Sequence, residues 1–170
     1  MNTDTTTKKL KEKTIVFSLW NCESATGWTN YQFYGPLKAI FKEVIRYDPR
    51  KRRFIYGPEK MKENFLKIIA QKKPDYVFMQ VGSDEINIDT IREINRISPQ
   101  SITIGLFTDD DTDFEIFTRY YALFLDYCMA SQPRYLDLYY KDGLKNVFPM
   151  MGTNMDLFKP KKMKKIYDVS

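Results

Sequence analysis

Asp75-Tyr76-Val77-Phe78-Met79-Gln80-Val81 is almost unbroken apolar sequence between Pro74 and Gly82. A strand with one wet face alternates apolar and polar residues. An unbroken run belongs to a strand buried on both sides, as in a parallel sheet with helices on its two faces. Five other short runs fit the same frame: Thr14-Ile15-Val16-Phe17-Ser18-Leu19, Val44-Ile45-Arg46-Tyr47, Ile102-Thr103-Ile104-Gly105-Leu106-Phe107, Leu125-Asp126-Tyr127-Cys128-Met129-Ala130 and Asn146-Val147-Phe148-Pro149. Between them apolar residues recur at helical spacing. Phe33, Leu37, Ile40 and Phe41 mark one helix, and Met61, Phe65, Ile68 and Ile69 a second that Lys73-Pro74 ends. Ile88, Ile91, Ile94 and Ile97 mark a third, Phe114 to Phe124 a fourth, and Tyr135 to Tyr140, with Gly143 behind it, a short fifth. Strand and helix in alternation predict βαβ units, hence a Rossmann-like α/β domain with a parallel sheet and helices on both faces.

At 170 residues and 43% apolar the chain is sized for one such domain, and 15% aromatic content argues against disorder. We expect a flexible polar tail over residues 1–13, the domain over 14–151, and an interdomain hinge with the start of a second domain over 152–170. Met1 to Lys13 has no apolar core of a signal peptide, and no run is long enough for a membrane-spanning helix. Two cysteines, Cys22 and Cys128, are too few for a disulfide framework and lack metal-ligand spacing. A cytoplasmic location follows as the expectation. There is no histidine, which excludes Ser-His-Asp and Cys-His devices and leaves proton transfer to carboxylates. The net charge of +5 is clustered in Lys8 to Lys13, Arg50-Lys51-Arg52-Arg53 and Lys159 to Lys165. Such runs suit a solvated surface or an anionic partner, with a peripheral membrane contact among the expectations and nucleic acid not expected.

Ligands of a doubly wound sheet bind beyond the carboxyl ends of its strands, and the loops there are polar. Trp20 and Asn21 follow the first strand, Gly82, Ser83 and Asp84 the third, and Thr108, Asp109, Asp110 and Asp111 the fourth. The aspartate cluster admits three readings: caps of the helix that follows, carboxylates that bind sugar hydroxyls or act as a base, or oxygen ligands of a divalent ion. Gly82-Ser83-Asp84 reads as a turn with a cap or as a close approach to a ligand. Trp20, with Trp28 and Tyr31, suits stacking on a sugar ring or packing at the rim. No Gly-x-Gly-x-x-Gly follows the first strand and no Walker-type phosphate loop occurs, so the dinucleotide and P-loop readings lack their motifs. A receiver domain would need an acidic pair where Trp20-Asn21-Cys22 stands.

Pro74 to Gln80, then Ile104-Gly105-Leu106-Phe107-Thr108-Asp109-Asp110, then Gly152 to Pro160 occur in that order. Together they resemble the N-terminal half of GT-B glycosyltransferases, in particular the spore-maturation CgeB-like proteins. The stretch with Asp156, Phe158 and Pro160 is similar, with slightly altered spacing, to the one that precedes the second domain in group 1 transferases. The resemblance implies a sugar transfer from a nucleotide-sugar donor, held mostly by a C-terminal domain beyond Ser170, to a glycan, protein or lipid acceptor. It implies catalytic or acceptor-contacting roles for Asp109 and Asp110, acceptor contacts from Trp20, Asn21, Gly82, Ser83, Asp84, Thr108 and Asp111, and neither a cofactor nor a bound metal for catalysis. Two other readings stay open: a stand-alone acceptor-binding module that pairs with a separate donor-binding chain, and an unrelated Rossmann-like interaction protein.

Overall fold

The computed structural model describes residues 8–81, 85–150 and 152. Six strands form one all-parallel sheet: β1 (Thr14–Ser18), β2 (Glu43–Arg46), β3 (Tyr76–Gln80), β4 (Ile102–Phe107), β5 (Tyr127–Ala130) and β6 (Val147–Pro149). Their order is β2-β1-β3-β4-β5-β6. The chain is thus Rossmann-like, as its alternation predicts. Among the described residues no helix is long and apolar enough to cross a membrane.

The helices follow in sequence. A π-helical turn (Asn30–Tyr34) runs into α1 (Gly35–Ile40), and α2 (Pro49–Tyr56) and α3 (Pro58–Lys72) join β2 to β3. Next come α4 (Ile88–Ile97) and then α5 (Asp110–Asp113), a second π-helical turn (Phe114–Thr118) and α6 (Arg119–Tyr121) as one continuous rod. A 3₁₀ turn (Pro133–Tyr135) leads into α7 (Leu136–Lys141).

Right-handed crossovers dictate which face each helix covers. β1 steps one way to β2 through α1, whereas every later crossover steps the other way, so α1 lies on the face opposite the helices that follow. The packing agrees. Ile15, Phe17, Leu19, Phe78 and Leu106 meet Phe41, Leu37, Ile40 and Phe33 on the α1 side. Val16, Val77, Met79, Phe107, Cys128 and Val147 meet Met61, Phe65, Ile69, Ile91, Ile94 and Tyr139 on the other. Alternate residues of β1 therefore feed opposite cores, as a period of two requires. In β4 a Cβ on residue 105 would fall 2.6 Å from the Leu125 Cδ1, so any larger residue than glycine there requires Leu125 to shift.

Helix α2 was not expected, since Asp48-Pro49 reads as the close of a strand. Asp48 instead caps it, accepting from the Lys51 N–H at 3.0 Å, and Pro49 takes the first helical position, where its missing N–H costs nothing. Gly57, at φ +81, turns the chain at once into α3. The rod after β4 also starts earlier than expected, at Asp110 rather than Phe114. Part of the segment expected as a tail is attached: Leu10 packs on the α1-side core, and Lys13 pairs with Asp75 at 2.8 Å. Residues 153–170, with the expected hinge, lie outside the described residues.

Candidate functional site

The order of the sheet reverses at β1, which passes to β2 on one side and is flanked by β3 on the other. Loops leave this point in opposite directions and a crevice opens above it. A cavity of about 370 Å³ lies there, lined by Trp20, Asn21, Asp48, Arg50, Lys51 and Phe54. Trp20 and Asn21 come from the end of β1, the other four from the start of α2. Asn21 is exposed and adopts a φ of 58°, a left-handed conformation that asparagine tolerates better than most residues. The β1 loop is pinned from outside: the Thr29 hydroxyl donates to the Trp20 carbonyl at 3.2 Å, and Arg46 donates to the Cys22 carbonyl at 3.3 Å.

The charged side chains of the crevice are layered. The Arg50 guanidinium lies over the Trp20 ring, 3.5 Å from its centroid, and its Nε donates to the Glu85 carboxylate at 3.3 Å. One face of Trp20 is therefore covered by an arginine, where stacking on a sugar ring or packing at the rim was expected, and among the described residues its buried Nε1 has no hydrogen-bond acceptor. Phe54, 93% exposed, is the bare aromatic of the cavity wall. Behind α2, Glu23 accepts from Arg52 at 2.8 Å, from Lys51 at 3.3 Å and from the Asp48 N–H at 3.4 Å. Burial works to raise the Glu23 pKa, but these donors outweigh it and hold the carboxylate below its usual range.

The second rim cluster stands at the end of β4. Thr108 is half-buried and its hydroxyl donates to Asp109 Oδ2 at 2.8 Å; Asp109 is exposed. Asp111, also exposed, is clasped by Gln132, which accepts from its N–H and donates to its Oδ1, both at 3.0 Å. Ser131 closes the loop with a hydrogen bond to the Thr108 carbonyl at 2.7 Å.

Asp110 is a correction. It was expected to face the cleft beside Asp109, but it is buried, turned inward by the start of α5. Its Oδ1 accepts from Tyr139 at 2.6 Å and from Thr118 at 2.9 Å, while Oδ2 is buried without a partner among the described residues. Consecutive residues of a helix point about 100° apart, so neighbours in sequence are divided between solvent and core. Burial raises the Asp110 pKa against those two hydrogen bonds. The native state thus holds this proton more tightly than the unfolded chain, and its contribution to stability falls as pH rises from the ordinary value of 3.8 through the raised one. Asp110→Asn removes that contribution. In urea titrations the variant is expected to gain stability relative to the parent as pH rises through this window; a difference that is flat with pH would refute the shift.

Gly82, Ser83 and Asp84 lie outside the described residues. The sequence reading missed Asp48, Arg50, Lys51, Phe54 and Glu85 as site residues, although the basic run itself was visible; Asp48-Pro49, read as cap and first helical residue, was the signal that places them. Burial lifts the Cys22 thiol to about 11 and raises Cys128 as well, so both are protonated near neutral pH and unsuited to nucleophilic work. Among the described residues no group of three or more carboxylates or thiols is placed to hold a metal ion. Comparisons with family models, curated proteins and solved structures find no match to this chain.

Proposed function

We propose that this chain is the acceptor-side domain of a GT-B glycosyltransferase, with the nucleotide-sugar donor held mainly by a further domain or a partner chain. The observation that supports this reading best is the cavity of about 370 Å³ at the reversal point of the sheet. Doubly wound sheets bind ligands at that place, and the volume is within the range of small-molecule sites. In this reading Asn21 and Phe54 contact the acceptor, with Asn21 offering hydrogen bonds and Phe54 an apolar face. β4 is two strands from β1, about 10 Å across the sheet, so an acceptor seated over β1 reaches the β4 rim.

Asp109 is then the local base. In an inverting reaction the acceptor hydroxyl oxygen forms the new bond to the anomeric carbon, the sugar–phosphate bond breaks, and the hydroxyl proton passes to the Asp109 carboxylate. Thr108 orients that carboxylate through the 2.8 Å bond to Oδ2. Asp111, held by Gln132, keeps the loop in shape, and Asp110 anchors the same loop from below.

The test is sugar transfer by the longest reading frame that contains this chain, assayed with a panel of nucleotide sugars and with glycan, lipid and protein acceptors. Transfer is expected from that frame, or from this chain mixed with a separate donor-side chain, and none from residues 1–170 alone. A complete frame that neither transfers nor hydrolyses any donor would overturn the activity. Turnover by the 170-residue chain would overturn the division of labour.

A further inference from the structure

We propose that the crevice over β1 is a receptor for a phosphoryl group, so that the acceptor it takes is a phosphorylated one. The inference takes the crevice as the acceptor subsite and so rests on the reading above. Its basis is the mounting of Arg50. An exposed arginine ordinarily samples many rotamers, and ordering it to meet a ligand costs binding energy. Arg50 is already ordered from two sides. Trp20 supports the flat face of the guanidinium at 3.5 Å, and buried Glu85 takes the Nε edge at 3.3 Å. Among the described residues neither terminal nitrogen, Nη1 or Nη2, has a hydrogen-bond acceptor, and Arg50 lines the cavity. A guanidinium held in this manner keeps its two-nitrogen edge for a planar or tetrahedral oxyanion, which it binds through two parallel hydrogen bonds.

The surroundings favour the same class of ligand. Lys51 lines the cavity beside Arg50 and is more than half exposed. Of the residues that line the cavity Arg50 and Lys51 are basic and Asp48 is acidic, with Glu85 and Glu23 paired to the two basic side chains. Each of those carboxylates is engaged: Glu23 by Arg52 and Lys51, Glu85 by Arg50, and Asp48 by the backbone of its own helix. Counted over the lining residues alone, Arg50 and Lys51 against Asp48, the wall of the cavity is positive, which suits an oxyanion better than a neutral sugar. Phe54 adds an apolar wall against which the non-phosphorylated part of the ligand rests.

The experiment measures binding by calorimetry and by fluorescence of Trp20 in a Trp28→Phe background. The probes are inorganic phosphate, glucose 6-phosphate, uridine diphosphate and unphosphorylated glucose. Glucose 6-phosphate is expected to bind more tightly than inorganic phosphate and to quench or shift the Trp20 emission, while glucose does neither. Arg50→Ala is expected to weaken glucose 6-phosphate about 10- to 100-fold, as loss of a charged hydrogen-bond pair does. Arg50→Lys, which keeps the charge and loses the fork, should recover only part of that, and Lys51→Ala should cost about threefold. Arg50→Lys and Lys51→Ala also serve if Arg50→Ala fails to fold.

Equal binding of glucose and glucose 6-phosphate, or no binding of any phosphorylated probe at millimolar concentration, would overturn the proposal. So would affinity that is unchanged in the Arg50 variants. Tightest binding of uridine diphosphate would assign the receptor to a nucleotide instead of the acceptor and refute the acceptor assignment. The two readings fail separately. Phosphoryl binding without sugar transfer by the complete frame leaves this site standing and removes the activity, whereas transfer to neutral acceptors that ignores Arg50 does the reverse.

Discussion

Asp109→Asn, made in the longest reading frame, is expected to lower kcat about 100- to 10,000-fold, the usual contribution of a positioned general base, with little change in KM for the acceptor. Asparagine keeps the size and the hydrogen bond from Thr108 but cannot take a proton. The informative comparison is Asp110→Asn. That side chain touches Tyr139 and Thr118 and is closed off from the crevice, so its replacement should alter stability and its pH dependence while kcat falls far less. Steady-state kinetics on both variants, with thermal melts as the control for folding, separates the two. Equal losses in both would mean that the β4 rim acts through its shape, and unchanged turnover in Asp109→Asn would remove the base from the mechanism.

Phe65→Ala is expected to produce the largest loss of stability, about 3–5 kcal/mol. Phe65 is fully buried in α3 and packs on the Tyr47 ring, with centroids 4.8 Å apart. Tyr47 is itself buried, donates its hydroxyl to the Met61 carbonyl, and has its pKa pushed up to about 12 by burial. A rigid pair of rings between β2 and α3 leaves little that could collapse into the space, which puts the cost toward the upper end. For a chain of this length the melting temperature should fall by roughly 6–20 °C, measured by calorimetry together with urea unfolding. A loss under about 1 kcal/mol would show that neighbouring side chains refill the cavity.

The sheet was legible because its information is local. Ile15-Val16-Phe17 and Val77-Phe78-Met79 are β-rich and apolar on both faces, and Lys73-Pro74 and Gly143 punctuate the helices. Helix α2 was not, because Phe54, Ile55 and Tyr56 are exposed and Pro49 is its buried residue. With no apolar stripe facing a core there is no period to read. The crevice was half legible: Trp20 and Asn21 follow from the position of β1, but Arg50 is thirty residues away and arrives only through the pairing of β1 with β2. Asp110 was misplaced for the opposite reason. Its neighbours in sequence share its chemistry, and composition carries no record of which carboxylate a helix turns inward.

The two π-helical turns have a consequence for how this domain tolerates change. Each closes with an i→i+5 bond, Gly35 N–H to the Asn30 carbonyl and Arg119 N–H to the Phe114 carbonyl, and so each holds one residue more than an α-helical turn. Both lie between a rim loop and the helical segment that carries core contacts. The turns themselves also pack inward, Phe33 from the first and Phe114 and Thr118 from the second, so a single-residue deletion there shifts side chains that the core uses. Rim length and core register therefore meet in these two turns, and a one-residue deletion within either is expected to lower the melting temperature.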